Sequence, residues 1–169
     1  MKLSHHFIIL LTIFAGFWVD EFISELNIRE YFFQTASTSY LLETCIGFLI
    51  FCYWVYAIPE KLQSSSALIY GLIIDLCFGN SVGFHMLFFV SISYVIHVYV
   101  FRFRIFSYLQ LIIFFASASI FYLACKYLIF FPVNYSYWLL VFSFLFNAAA
   151  WLPIYFGMRL FRRRFIKFS

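Results

Sequence analysis

The feature that most limits how this chain can fold is a series of long apolar runs separated by short polar or charged connections. A helix needs about 20 apolar residues to cross the hydrocarbon core of a bilayer, and in lipid only helices and closed barrels satisfy their own backbone groups. The pattern predicts an all-α integral membrane bundle of about six transmembrane helices in a single transmembrane domain, residues 1–169. The predicted helices cover residues 7–19, 40–58, 64–78, 84–101, 105–131 and 138–160.

Composition excludes an ordinary soluble domain. The chain is 66% hydrophobic and 11% charged, whereas soluble domains are about half apolar and about a quarter charged. Its net charge of +4 does not indicate a nucleic-acid partner, because the cations sit at predicted helix ends. The four cysteines fall within apolar runs without C-x-x-C spacing, which predicts buried free thiols and no metal site. No internal repeat is recognised.

The cations also predict an orientation. With six crossings and a cytoplasmic N-terminus, nine Lys and Arg residues lie on the cytoplasmic side of the membrane, and only Arg29 and Lys126 lie on or near the outer side. The positive-inside rule therefore favours two cytoplasmic termini. The first apolar run lacks a small-residue cleavage site and is expected to stay as a transmembrane helix. The acidic stretch that begins at Asp20 is expected to form a short interfacial helix.

The most distinctive segment is Pro59–Leu87, PEKLQSSSALIYGLIIDLCFGNSVGFHML. It contains Asp75, set deep in an apolar run, and three of the six glycines, Gly71, Gly79 and Gly83. The pattern predicts two helices joined by a tight turn, the first only about 22 Å long against a hydrocarbon core of about 30 Å. A turn at that depth must be buried in protein or face water, so the hairpin is expected in the middle of the bundle.

Asp75 is the strongest candidate for a functional residue, because an ionisable group within a membrane is costly and usually has a role. One hypothesis makes it a proton or ligand site. The favoured hypothesis is structural: its carboxyl fastens the turn by accepting hydrogen bonds from turn amides, Asn80, Ser81 or His85. The glycines would then serve close backbone approach and turn geometry.

Structural roles are predicted for other polar residues and for the prolines that interrupt helices. Pro59 is expected to end the second helix. Asn147 is expected to hydrogen-bond across helices, and Pro153 to kink the sixth helix. His85 and His97 are expected to form hydrogen bonds within the bundle and not to bind metal. Catalytic and cofactor-binding motifs are not found, so an enzyme is the weakest class and no cofactor is expected.

The run YWVYAIPEKL, followed by Gly71 with Asp75 four residues on and then Gly79 and Gly83, resembles the rod shape-determining protein MreD family over about residues 53–87. Asn147, Pro153 and the arginines near the C-terminus extend the resemblance to the other end of the chain.

The resemblance implies a non-catalytic scaffold in the bacterial inner membrane, part of the cell-elongation machinery. Such a protein binds MreC and, through it, MreB, RodA and a penicillin-binding transpeptidase, and so helps to place lateral peptidoglycan synthesis and maintain rod shape. The family also resembles in fold the substrate-binding component of energy-coupling-factor transporters, which leaves a vitamin-binding subunit as the alternative. Besides membrane lipid, the partner surfaces are expected at residues 20–33 and at the small residues Ala116–Ser119 of the fifth helix.

Overall fold

The computed structural model describes residues 2–25, 44–60, 62–78, 82–130 and 137–165. This part of the chain consists of helices joined by short non-helical segments and contains no strand, which agrees with the predicted all-α class. Its seven helices are α1 (Lys2–Glu25), α2 (Ile46–Ala57), α3 (Ser64–Phe78), α4 (Phe84–Val98), α5 (Val100–Ile105), α6 (Tyr108–Phe130) and α7 (Tyr137–Phe165). Three of them, α1, α6 and α7, are long and apolar enough to cross a membrane, while α2, α3 and α4 are shorter apolar helices.

Several helices differ from the predicted bounds. The first extends through Asp20 to Glu25 and does not end at residue 19. The predicted helix over residues 84–101 is divided at Tyr99 into α4 and the short α5. The last helix continues to Phe165. Only α3 has the predicted bounds, and residues 40–43 of the second predicted helix lie outside the described residues.

The centre of the bundle is α2, which contacts α1, α4, α6 and α7. The α3–α4 hairpin was expected at this place, and that prediction is wrong, because α3 packs mainly on α4. Its sequence, IGFLIFCYWVYA, is apolar on every side, and eight of its 12 residues are buried. A helix that is apolar all round belongs in a core, because it has no polar face to turn to water. It ends at Ala57, two residues before Pro59, which cannot continue the backbone ladder.

The helices associate as three neighbouring pairs, α1 with α2, α3 with α4, and α6 with α7. Aromatic rings join these pairs to one another across the core. Phe51 of α2 stacks on Phe89 of α4 with ring centroids 3.8 Å apart. Phe48 of α2 stacks on Tyr122 of α6 at 4.9 Å. The α1–α2 pair is also joined by a hydrogen bond of 2.8 Å from Trp54 Nε1 to Thr12 Oγ1.

One end of the bundle, here called the arginine end, gathers the start of α1, the α2–α3 connection and the end of α7. His6 Nδ1 of α1 lies 2.7 Å from the Tyr70 hydroxyl of α3. Arg162 of α7 reaches the last residue of α2. The Ser93 hydroxyl of α4 donates to the Leu62 carbonyl at 3.0 Å, which brings the second half of α4 to the same end.

The opposite end, here called the carboxylate end, gathers the ends of α1, α3 and α6 and the starts of α2, α4 and α7. Phe84 at the start of α4 contacts Phe130 at the end of α6, with ring centroids 5.4 Å apart. Asp20 and Asp75 lie at this end, each beside the start of the next helix.

Candidate functional site

Asp75 on α3 reaches across to the first turn of α4. Its Oδ2 accepts hydrogen bonds from the backbone N–H groups of Gly83 (2.8 Å) and Met86 (3.3 Å), and its Oδ1 accepts one from His85 (3.0 Å). The first amides of a helix have no partner within it, and the positive end of the helix dipole attracts a carboxylate. The residue is only 1% exposed. The buried acid therefore holds α3 and α4 together as a hairpin.

A series of side-chain hydrogen bonds connects this cap to a third helix, α6. His85 Nδ1 lies 2.6 Å from Asp75 Oδ1, and His85 Nε2 lies 2.9 Å from the Tyr122 hydroxyl of α6. A carboxylate can only accept, so Nδ1 donates to Asp75, and in the neutral ring Nε2 is then left to accept from the Tyr122 hydroxyl. Hydrogen bonds among the buried side chains of Asp75, His85 and Tyr122 thus connect α3, α4 and α6.

Two glycines allow this hairpin to close. A Cβ on Gly71 would lie 2.5 Å from the Cα and 2.7 Å from the N of Met86, so the α3 backbone touches α4 directly. Gly83, the N-cap residue just before α4, has φ of 112°, a left-handed conformation that residues with a side chain rarely adopt. Gly71 therefore serves close approach, whereas Gly83 serves the turn.

Asp20 forms a second cap of the same kind, at the start of α2. Its Oδ1 accepts from the Ile46 N–H (2.9 Å) and the Thr44 hydroxyl (2.6 Å), and its Oδ2 accepts from the Gly47 N–H (2.8 Å). The interfacial helix was predicted to begin at Asp20, but α1 continues through this residue to Glu25, and residues 26–30 lie outside the described residues. The acid is accommodated inside α1 because the amides of α2 satisfy it.

A close glycine contact accompanies the Asp20 cap as well. A Cβ on Gly16 would lie 2.8 Å from the Gly47 Cα. Gly16 precedes Asp20 by four residues, as Gly71 precedes Asp75, so GFWVD and GLIID are two copies of one G-x-x-x-D pattern. The two helix pairs therefore close in the same way. The sequence signal was the paired G-x-x-x-D spacing.

The C-terminal end of α2 is capped by a cation. Arg162 Nη1 of α7 donates to the carbonyl oxygen of Ala57 at 3.0 Å. The carbonyls of a last helical turn lack internal partners and carry the negative end of the helix dipole. The central helix is therefore held by Asp20 at its N-terminus and by Arg162 at its C-terminus, each with the sign that the dipole favours.

Asn147 connects α7 to the start of α2. It is fully buried, and its Oδ1 accepts a hydrogen bond of 3.3 Å from the Cys45 N–H. In the described structure its Nδ2 has no hydrogen-bond partner. Pro153 lies six residues further along α7, and the helix continues through it.

The remaining candidates are distributed along the chain. Gly79 and Asn80 lie outside the described residues. His97 lies with its Nδ1 3.0 Å from the Ser93 carbonyl within α4. Ala116 and Ser119, expected to face a partner, are fully buried within the bundle. Ser117 between them is exposed, so a partner at this face stays a prediction. In the other expected surface, residues 20–33, Asp20 contacts α2, and residues 26–33 lie outside the described residues.

The two carboxylate caps are neighbours. The rings of Phe17 and His85 meet edge to face with centroids 5.1 Å apart. Lys126 of α6 lies within electrostatic range of both Asp20 and His85. Among the described residues no group of three or more His, Cys, Asp or Glu side chains could hold a metal ion. The arrangement fixes four helix ends relative to one another.

A protein-family model described as rod shape-determining protein MreD matches residues 5–165. The chain belongs to this family. The match includes both capped helix pairs and α6 and α7, so these contacts lie within the region that defines the family. No curated protein and no solved structure matches the chain. Family membership and the three long apolar helices together make the chain a membrane protein concerned with cell shape.

Proposed function

We propose that this MreD-family chain is a non-catalytic scaffold of the bacterial cell-elongation machinery in the inner membrane. It binds MreC, and through MreC it acts with MreB, RodA and a penicillin-binding transpeptidase to place lateral peptidoglycan synthesis. The observation that carries the proposal is the family match over residues 5–165. The contacts of the buried polar groups agree with it.

Those buried polar groups are used to join helices. Asp75 and His85 link α3, α4 and α6, and Asp20 links α1 to α2. A scaffold needs such fixed geometry, because lipid supplies little hydrophobic drive between helices and recognition depends on shape and a few polar contacts. A stiff bundle presents the same surface to its partner each time.

Six crossings with both termini in the cytoplasm are part of the proposal. The start of α1, the α2–α3 connection and the end of α7 share one end of the bundle, as an even number of crossings requires. Arg102, Arg159, Arg162, Arg163 and Arg164 belong to helices or helix ends on that side. The positive-inside rule favours the cytoplasm for it. Reporter fusions at the two termini test this orientation, and opposite locations would contradict it.

Depletion of the protein in rod-shaped host cells is the direct test of the function. We expect the cells to lose their rod shape and to recover it when the chain is supplied from a plasmid. Purification of the tagged chain in mild detergent should bring MreC with it, whereas an unrelated single-pass membrane protein at similar abundance should not follow. Rods that keep their shape after depletion, in a host with no second copy, would refute the proposal.

The vitamin-binding alternative rests on the resemblance in fold, and among the described residues Asp75 and Tyr122 would be its polar groups at the carboxylate end. Similarity in fold to energy-coupling-factor substrate-binding components stays a prediction. Mass spectrometry of the purified chain separates the two functions, because a transporter subunit would retain a small metabolite and a scaffold would retain its protein partner.

A further inference from the structure

The outer face of α7 carries an apolar stripe that ends in two arginines. Leu152, Phe156 and Leu160 follow each other at four-residue intervals and are 41%, 49% and 68% exposed. Arg164 continues the same interval, and Arg163 lies beside it, both exposed. Residues four apart lie above one another on a helix, so the stripe leads directly to the two cations.

The stripe is recessed at Gly157. A Cβ built on this residue would meet nothing within 4 Å, so the space outside the helix at this point is not filled by the described part of the chain. Tyr108 of α6 flanks the stripe, with its ring centroid 6.4 Å from that of Phe156. An aromatic side chain next to a helix end is typical of the level where acyl chains meet headgroups.

The two terminal arginines differ from Arg162. Arg162 is engaged with the Ala57 carbonyl of α2. Within the part of the chain that the structure describes, Arg163 and Arg164 have no carboxylate partner. An arginine guanidinium presents a planar set of donors that matches a phosphate group. Two such groups at the end of an apolar stripe fit a molecule with an acyl chain and a negatively charged phosphate.

We propose that the outer face of α7 binds an anionic phospholipid, whose acyl chain lies along Leu152, Phe156 and Leu160 and whose phosphate contacts Arg163 and Arg164. The lipid belongs to the leaflet at the arginine end. Arg162 has a separate, structural role in capping α2.

Native mass spectrometry of the full-length chain, released from detergent with phosphatidylglycerol or with zwitterionic phosphatidylethanolamine, tests the proposal. We expect preferential retention of phosphatidylglycerol. Each arginine near an anionic headgroup contributes about 1 kcal/mol, which corresponds to about a five-fold change in affinity. Arg163→Gln/Arg164→Gln should therefore weaken retention of phosphatidylglycerol by roughly twenty-fold or more. The thermal stability of this double variant in neutral detergent should equal that of the unchanged chain, because neither arginine forms an ion pair within the described bundle.

The matched control is Arg102→Gln, which removes another exposed cation at the same end but one that does not continue the stripe. It should leave retention within about two-fold. Leu160→Ser, which keeps every charge, should weaken retention several-fold by shortening the apolar stripe. The water-soluble headgroup glycerol phosphate should not displace the lipid.

Three results would overturn the proposal. Equal retention of the two lipids would show that the face has no preference for a negative headgroup. Equal losses in Arg102→Gln and Arg164→Gln would show general attraction to the positive end of the bundle. Displacement by glycerol phosphate, with Leu160→Ser unaffected, would show a phosphate site without a lipid chain.

Discussion

Asp20 and Asp75 occupy equivalent places in two helix pairs, because each carboxylate accepts backbone hydrogen bonds from the first turn of the helix that follows it. A glycine lies four residues before each aspartate, Gly16 in one pair and Gly71 in the other. Its backbone lies in close contact with the same following helix. Burying a carboxylate without hydrogen bonds is costly, and so is burying the first amides of a helix, which have no partner within it. Here the carboxylate and the amides hydrogen-bond each other. In this way Asp20 joins α1 to α2, and Asp75 joins α3 to α4.

Replacing Asp75 should separate a structural role from a chemical one. Asp75→Leu removes every acceptor and leaves the amides of Gly83, His85 and Met86 unpaired, each at a cost of about 1 to 3 kcal/mol. Asp75→Asn keeps one acceptor oxygen and should lose less. We expect the thermal unfolding midpoint in detergent and the membrane level to fall strongly in the Leu variant and moderately in the Asn variant.

Glu60→Leu is the control for the Asp75 variants, because this acid is exposed. A structural carboxylate predicts that rod shape is lost only in proportion to the protein that remains in the membrane. Severe and equal loss of cell shape in both Asp75 variants, at normal membrane levels, would instead indicate a chemical role.

Asp20→Leu should destabilise the bundle by an amount similar to Asp75→Leu, because it leaves the Ile46 and Gly47 amides at the start of the central helix without acceptors. Thr44→Val removes only the hydroxyl donor to the same carboxylate and should cost less, about 1 kcal/mol. Unfolding midpoints of the two variants, measured side by side, give the comparison. A midpoint for Asp20→Leu equal to that of the unchanged chain would refute the second cap.

The α3–α4 hairpin was predictable from sequence because its signals are local. Asp75, the glycines around it and the serines before Ala67 lie within about 20 residues, and α3 has the predicted bounds. The Asp20 cap was not predictable from the same signals. Asp20 is followed by Glu21 and Glu25, which resemble an interfacial acidic patch, and its backbone partners lie 26 and 27 positions away, compared with eight to 11 for Asp75.

Contacts between distant segments could not be predicted from the sequence, for a different reason. Periodicity shows which residues share a face of a helix but not which helix that face meets. Tyr122 is 37 positions from His85, and Asn147 is 102 positions from Cys45. The small residues Ala116 and Ser119 are fully buried within the bundle, whereas Ser117 of the same stretch is exposed.

Two neighbouring arginines at the end of α7 should respond differently to the same substitution. Arg162→Gln removes a charged donor from the Ala57 carbonyl and should lower stability by about 1.5 to 3 kcal/mol, because hydrogen bonds to charged groups are stronger than neutral ones. Arg163→Gln removes the same charge from an exposed side chain and should change stability by less than about 0.5 kcal/mol. Thermal midpoints in neutral detergent measure both, and equal midpoints would refute the cap.

Two glycines of the bundle should show opposite responses to the addition of a single methyl group. In Gly71→Ala the new Cβ would lie 2.5 Å from the Met86 Cα, so α3 and α4 must move apart and strain the Asp75 cap. In Gly157→Ala the new Cβ meets nothing within 4 Å, and alanine favours a helix over glycine by about 1 kcal/mol. We expect the first variant to unfold at a lower temperature than the unchanged chain and the second at an equal or higher one. Cells that carry only Gly71→Ala should therefore be rounder at elevated temperature, whereas cells with Gly157→Ala should stay rod-shaped. Equal melting of the two variants would show that the α3–α4 backbones are not in direct contact.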